Sequence, residues 1–481
     1  MQAANGTPPK ATPLYFIILF VCAFLVRALT FGYVQQEERY KQPDSNDYHN
    51  GALCIAYGFG MTFPNGEPIF WRVPGYSAYL APFYAHYGIT DTSFSGASDA
   101  QQASIWMQIV LSAFLPLILF FLALLLTQSY WIAHITAWLS VIHLGFALAS
   151  TYILTEGIAL VPFYLFLLFF YRSFRSFFET KPASNAWIKN IIAAALFLVL
   201  HTWVRPMGQY IAVVAALILL LFAQDTFKRK AQKIALFLCV FASGISPWYI
   251  RNYNLTGQWF FCPMFGTYLK SFTAPRIMSE IEDIELIDAW KRISMQAAMT
   301  FKTQKPLYER DGLALSPDMV CGSISWPIVL AHPFLALRDW MREVIKTTVD
   351  LYSSQLVAFV RHTHHYDPLI EYITEKWYDC VYDAPLSWPM RCIVFLEIIY
   401  ALLLWVGLIG GFIRFMLLPC IRRFNEPEMI NRLFGMWIKV APMIAATLFM
   451  TGGFGYARLR LPIEGLMIIL SLSFWQYIRK K

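Results

Sequence analysis

The sequence predicts an all-α, polytopic membrane protein, and three observations carry that expectation. Only 14% of its 481 residues are charged, against 58% hydrophobic, where a soluble domain carries about a quarter charged residues. Mean hydropathy is +0.49. The apolar residues also fall into long separate blocks rather than the mixed pattern of a soluble core, and each block approaches the roughly 20 residues that a spanning helix needs. A soluble or disordered chain is thereby excluded. The net charge of +8 then concerns orientation, which Lys and Arg set in membrane proteins, and no nucleic-acid partner is expected; the first partner is the lipid bilayer.

The blocks run at about 13–34, 103–127, 131–150, 152–171, 187–204, 209–224, 234–250, 391–419, 437–453 and 461–477. They give about ten spans, with a range of 9–13. The first follows a polar start, Met1 to Thr12, without a small-residue cleavage site, and is read as a retained helix. With the N-terminus inside, the inner segments collect Arg172, Arg175, Lys181 and Lys189, then Lys228, Arg229, Lys230 and Lys233. Later inner segments hold Arg422, Arg423, Arg432 and Lys439, and the tail adds Arg479, Lys480 and Lys481. The loop at 35–102 has only Arg39, Lys41 and Arg72 against seven acids. This alternation follows positive-inside sorting and puts both termini in the cytoplasm.

Three regions result. Residues 1–250 form a transmembrane module whose first outer loop, 35–102, is expected to carry amphipathic helices. Residues 251–390 form a larger extracytoplasmic, partly interfacial segment, and 391–481 form the C-terminal transmembrane helices. Within the second region Ser325 to Leu337 is apolar but too short to span, and it contains His332-Pro333; a helix lying at the interface is expected there. Cys54, Cys262, Cys321 and Cys380 fall outside, where a disulfide is permitted, though free thiols suit the same positions.

The unusual polar residues collect at one membrane face. Asp44 and Asp47 lie just beyond the first span. Glu156 sits about one turn inside the outer end of the fourth, Arg205 ends the fifth, and Arg251 ends the seventh. Arg458 and Arg460 open the tenth. Arginine at an outer helix end opposes the positive-inside trend, and a carboxylate in a span faces a polar cavity or a partner. Arg27, inside the first span, is expected to pair with Glu156 or another outer carboxylate. Any one arginine alone suits a lipid headgroup contact; together they form an anion-binding, carboxylate-bearing zone at one depth. Such a zone suits displacement of a sugar from a polyprenyl phosphate. Fixed guanidiniums stabilise the leaving phosphate, and one carboxylate takes the proton of the acceptor hydroxyl, half of the inverting glycosidase arrangement.

The first loop reads Asp44-Ser-Asn-Asp47-Tyr48, then Ala52, Gly58 and Arg72-Val-Pro74-Gly75-Tyr76. Downstream come Leu154-Thr155-Glu156, Val204-Arg205-Pro206, Pro247-Trp248-Tyr-Ile-Arg251-Asn252-Tyr253 with Gly257, and Ala457-Arg458-Leu-Arg460-Leu-Pro462. In this order the motifs resemble those of the integral-membrane, C-type glycosyltransferases, in particular the protein O-mannosyltransferase and lipid A aminoarabinose transferase group (glycosyltransferase family 39-like). The resemblance covers about 14–470 and implies a C-type glycosyltransferase fold. It implies that Asp44 is the catalytic first-loop aspartate, as acceptor-binding group or general base. The mannosyltransferases follow that aspartate with glutamate; here Ser45 stands in that place, which leaves Asp47 as a substitute and weakens protein mannosylation as the activity. Arg458 and Arg460 resemble the arginines that hold the donor's phosphate, Arg251 and Arg205 resemble cavity-rim residues with a phosphate contact open to them, and Glu156 resembles a carboxylate that positions the acceptor or anchors the first loop. Tyr48, Arg72, Pro74, Gly75 and Tyr76 are expected to shape that loop.

The implied activity is transfer of a sugar from a polyprenyl-phosphate donor to an acceptor hydroxyl on a glycan, lipid or protein, with inversion, on the extracytoplasmic side. No cofactor and no metal are expected, although His362, His364 and His365 form a polar cluster that metal ligation would also suit. The competing reading is a transporter or flippase of a lipid-linked or anionic solute, which predicts charged or broken helices near the midplane; a non-catalytic scaffold is a third. The single extracytoplasmic sequon, Asn254-Leu-Thr256, gives no support for a glycosylated eukaryotic protein. A bacterial inner membrane with a periplasmic active site is expected.

Overall fold

A computed structural model describes residues 12–35, 44–91, 98–174, 186–353, 388–421, 428–451 and 457–480. Among them the regular elements are helical, and the one extended pairing is an isolated antiparallel bridge between Thr62 and Pro68. The chain begins with α1 (Pro13–Gln35), followed by α2 (Ser45–Ala56) and α3 (Gly75–Tyr87) in the first loop. Next come α4 (Asp99–Ser112), α5 (Leu115–Thr127), α6 (Tyr130–Ile142), α7 (Leu144–Ala149), α8 (Glu156–Arg172), α9 (Ala186–Val204), α10 (Gly208–Phe222) and α11 (Phe227–Thr256). The segment after α11 holds α12 (Met264–Tyr268), α13 (Ala274–Glu282), α14 (Leu286–Arg310), α15 (Pro317–Ala331) and α16 (Pro333–Val349). The C-terminal part is α17 (Trp388–Gly411), α18 (Leu418–Ile421), α19 (Glu428–Thr451) and α20 (Leu461–Lys480), entered through a 3₁₀ turn, Ala457–Arg460.

Local chemistry explains the helix ends. Ser98 and Gln101 close a capping box on α4, and the Thr226 hydroxyl caps α11 by accepting from the Arg229 N–H, in each case satisfying orphan donors of a first turn. Gly88 and Gly257 end α3 and α11 in the left-handed region, where a Cβ would be strained.

Seven helices among the described residues are long and apolar enough to cross a membrane, or eight if the bent pair α15–α16 counts as one. This is an integral membrane protein. Seven of the ten expected blocks are these helices. The other three hold the shorter α6, α8 and α10, of 13, 17 and 15 residues. The last span is the central one: 72% of its apolar window is buried, against 22% for the first. It packs on α5, α6, α8, α17 and α19. Gly465 permits that packing, because a Cβ there would sit 2.5 Å from Leu119. Tyr164 closes the contact by donating to the Leu461 carbonyl at 3.0 Å and accepting from the Gly465 N–H at 2.8 Å. Lipid tails are as apolar as leucine, so close van der Waals contact and such polar links hold these helices together.

The stretch 325–337 is not one interfacial helix. It spans a corner, with α15 and α16 bent 106° to each other. Pro333 disfavours a helical conformation at the residue before it, and His332 takes φ −132°, ψ 60°. Beyond the corner α16 turns its polar side inward: Asp339, Glu343 and Thr347 are buried, while Phe334, Leu337, Met341 and Ile345 are exposed. Arg276 of α13 meets the buried Glu343 at 2.7 Å.

Candidate active site

The site is built on the first loop, and the loop is pinned before any charge is considered. The Ser45 hydroxyl donates to the Ile153 carbonyl at 2.9 Å, tying the start of α2 to the chain just before α8. Ser77 of α3 donates to the Tyr48 carbonyl at 3.1 Å, and the Tyr76 ring meets the Tyr48 ring edge-on at 5.0 Å. The buried Tyr76 hydroxyl donates to Gln108 Oε1 at 2.7 Å, and the Gln108 amide donates to the carbonyls of Ser150 (3.3 Å) and Tyr152 (3.0 Å). Pro74 caps α3. Gly75 lies against the end of α9, where a Cβ would meet the Trp203 carbonyl oxygen at 2.4 Å; only glycine allows that approach. The residue two positions past Trp203 is Arg205, so this contact sets the first loop beside it.

Charges then meet in one cluster. Arg72 donates from Nη2 to Asp44 Oδ1 at 2.8 Å and from Nε to Asp47 Oδ2 at 3.0 Å. Trp71 Nε1 reaches the same Asp47 oxygen at 3.1 Å, and the Arg72 guanidinium lies 5.1 Å from the Tyr48 ring centre. Glu156, the first residue of α8, has Oε1 3.3 Å from Arg205 Nη1 and 3.9 Å from Arg458 Nε. Its Oε2 accepts from the Thr155 hydroxyl at 3.0 Å. Arg458 Nη2 closes the circuit 3.7 Å from Asp44 Oδ2. The side chains of Asp44 (35% exposed) and Arg458 (27%) are partly exposed, whereas that of Glu156 (6%) is buried. Arg205 Nη1 is buried and without hydrogen-bond geometry to any described residue.

Burial pushes the Asp44 carboxyl up, but Arg72 and Arg458 outweigh it and hold it below the usual carboxylate range, so it stays ionised at neutral pH. The same burial pushes the Tyr48 phenol up to about 12, keeping it a neutral hydrogen-bonding group.

The structure thus brings together Asp44, Asp47, Tyr48, Arg72, Glu156, Arg205 and Arg458, from four separate stretches of sequence. Two of the candidate arginines stand apart from them. Arg251 clamps the first loop from outside, donating to the carbonyls of Met61 (2.9 Å) and Ile69 (3.3 Å) and to Asn252 (2.8 Å), with its guanidinium 4.4 Å from the Trp248 ring centre. Arg460 is 3% exposed and turns into the protein, onto Glu464 (2.7 Å) and the carbonyls of Thr347, Thr348 and Asp350. Both guanidiniums are thus engaged by groups of the protein outside the cluster. The expected Arg27–Glu156 pair does not form. Glu156 is taken by Arg205 and Arg458, and Arg27, fully buried, donates from Nη1 to the Ala23 carbonyl of its own helix.

Three groups went unread in the sequence: Trp71, Gln108 and Glu464. The signal for the last two was present, since a polar or acidic residue inside an apolar block faces a polar partner; Trp71 had none. Cys54, Cys262 and Cys321 are free thiols, so no disulfide joins them. Cys380 and the histidines at 362, 364 and 365 lie outside the described residues. Among the described residues no group of three or more His, Cys, Asp or Glu side chains is arranged to hold a metal ion.

The sequence profile of the dolichyl-phosphate-mannose-protein mannosyltransferase family matches residues 63–256. No curated protein matches the chain in sequence. Among solved structures, the oligosaccharyltransferase AglB of the archaeon Archaeoglobus fulgidus, in complex with an inhibitory peptide and a dolichol-phosphate, superimposes with a TM-score of 0.51 at 12% identity. The match covers 97% of this chain and 50% of that one. The apo form of the A. fulgidus oligosaccharyltransferase gives 0.50 at 12% identity, covering 98% and 51%. ArnT of Cupriavidus metallidurans bound to undecaprenyl phosphate gives 0.38 at 12%, covering 95% and 79%. The chain therefore spans about half the length of the oligosaccharyltransferase whose fold it shares. The chain thus shares the fold of that oligosaccharyltransferase, and the part of it that carries Arg72, Glu156, Arg205 and Arg251 is similar to the dolichyl-phosphate-mannose-protein mannosyltransferase family.

Proposed function

We propose that the protein transfers a sugar from a polyprenyl-phosphate donor to an acceptor hydroxyl, with inversion at the anomeric carbon. The observation that carries the reading is the cluster itself. Three carboxylates and three guanidiniums meet where the first loop approaches the ends of α8, α9 and α20, with the partly exposed Asp44 and Arg458 3.7 Å apart. The acceptor hydroxyl binds at Asp44, whose Oδ1 is held by Arg72, and Oδ2 takes the proton. The oxygen attacks the anomeric carbon as the bond to the phosphate oxygen breaks, and the electron pair leaves with the phosphate. Arg458 and Arg205 stabilise that developing charge, the role of fixed donors in a site of low dielectric. A base kept well ionised suits this reaction, because the hydroxyl becomes strongly acidic only as its oxygen bonds to carbon. The guanidiniums supply the positive charge that the leaving phosphate calls for, so the reaction draws on no metal.

The buried Glu156 orients Arg205 and Arg458, and Asp47 orients Arg72. AglB, whose fold the chain shares, is in complex with a dolichol-phosphate and an inhibitory peptide, which supports a lipid phosphate as a ligand of this site. In this reading the membrane is a bacterial inner membrane, the termini are cytoplasmic and the cluster is periplasmic.

Native mass spectrometry of the protein from mild detergent tests the donor class without a choice of acceptor. Wild type is expected to carry a polyprenyl phosphate that Arg458→Ala loses. Bulk phospholipid alone, unchanged in the variant after lipid is added back, would sink the reading and make transport of an anionic lipid the next one to test.

A further inference from the structure

A second carboxylate lies deeper in α20, outside the cluster. Glu464 is fully buried and one turn from Arg460. It accepts from Arg460 Nε at 2.7 Å, from the Tyr400 hydroxyl at 2.7 Å and from the Tyr352 hydroxyl at 3.1 Å, with His143 Nε2 at 3.4 Å. Four elements therefore converge on one side chain: α7's cap, the stretch after α16, α17 and α20.

Arg460 passes this anchorage on. Its Nη1 donates to the carbonyls of Thr348 (2.6 Å), Thr347 (3.1 Å) and Asp350 (3.2 Å), and its guanidinium lies 5.0 Å from the Tyr352 ring centre. The other end of the same 3₁₀ turn is held by Asp350, whose Oδ2 accepts from the Ala457 N–H at 2.9 Å. The stretch that supplies these contacts is itself tied to α17, where Glu397 accepts from the N–H groups of Tyr352 and Ser353. Arg458 sits between the two stitched ends of a four-residue turn. A buried cation needs a paired anion, and Glu464 is the carboxylate in reach of Arg460.

We propose that Glu464 is a positioning residue for Arg458. Acting through Arg460, it fixes the Ala457–Arg460 turn in the register that sets Arg458 3.7 Å from Asp44 and 3.9 Å from Glu156. The inference rests on the reading that Arg458 holds the donor's phosphate.

The test measures binding of undecaprenyl phosphate and of the uncharged alcohol undecaprenol to the full chain in detergent, with thermal unfolding as the folding control. Wild type, Arg458→Ala, Glu464→Gln and the double variant are compared. Each single change is expected to weaken phosphate binding about tenfold and to leave the alcohol unmoved. The double variant is expected to be no weaker than Arg458→Ala alone, since both act through one contact. A Glu464→Gln protein that binds the phosphate like wild type while Arg458→Ala is impaired would overturn the inference alone. So would losses that multiply in the double variant, or equal weakening of phosphate and alcohol, which marks a merely structural role. An Arg458→Ala protein that binds like wild type would overturn the phosphate reading itself. If Glu464→Gln does not fold, Asp350→Asn removes the other stitch and is judged by the same comparison with Arg458→Ala.

Discussion

Asp44 presents its two oxygens to two different arginines: Oδ1 is hydrogen-bonded by Arg72 at 2.8 Å, and Oδ2 stands 3.7 Å from Arg458. One oxygen is held by a guanidinium that also fastens Asp47, and the other lies beside a partly exposed arginine without a hydrogen bond to it. A carboxylate placed this way is oriented by its fixed oxygen, which suits the base proposed for it at the other.

Asp44→Asn keeps the shape and the hydrogen bond from Arg72 but loses the base. Turnover is expected to fall roughly 100-fold or more, the scale of a general base, with donor lipid still bound. Asp47→Asn is expected to lose less, because Asp47 reaches the site only through Arg72. Initial rates with a radiolabelled donor, beside native mass spectra of both variants, check the difference.

Arg72 and Arg458 hold the Asp44 carboxyl below its usual range against the opposing pull of burial. As the proposed base Asp44 is needed ionised, and the acid limb of the rate profile is expected below the ordinary carboxylate range. Removing a cation that favours the ionised form raises the pKa. Arg72→Gln is therefore expected to shift the acid limb of kcat/KM to higher pH, which a pH–rate series on the two proteins measures.

Gly75→Ala places a methyl group 2.4 Å from the Trp203 carbonyl oxygen. Backbone must move there, and overpacking of this kind costs about 1–3 kcal/mol. A lower unfolding midpoint is expected. Gly32→Ala in α1 is the control, since a Cβ there meets nothing within 4 Å and alanine suits a helix better than glycine. Thermal unfolding in detergent, followed by tryptophan fluorescence, compares the two.

Arg251→Ala removes the donors that the Met61 and Ile69 carbonyls use. Hydrogen bonds from a charged group contribute about 1.5–3 kcal/mol each, and the loop between α2 and α3 is expected to open more often. Faster hydrogen exchange of amides at 58–72, with the spanning helices unchanged, is the measurable outcome; unchanged exchange there would remove the clamp from the account.

Some of this was legible without coordinates because it is written in single residues and short spacings. The acid-rich first loop, the arginines opposing the charge trend and the Arg72-Val-Pro74-Gly75-Tyr76 run all mark one zone. Arg460 and Arg251 were read into that zone because they share the depth of Arg458 and Arg205, and depth is what sequence reports. It does not report azimuth. Arg458 and Arg460 lie two residues apart in a tight turn, which sends their side chains in different directions, one to Asp44 and the other to Glu464.

Composition and block length answer to the bilayer alone, and they already make this a helical membrane protein with its unusual charges near the ends of its apolar blocks. Which charges meet follows from the packing of the helices. A guanidinium selects its carboxylate by distances of a few ångströms, and those depend on how α8, α9, α20 and the first loop approach one another. Here that approach is set by contacts as small as the missing side chain of Gly75 against Trp203 and the Gln108 amide beneath Tyr76.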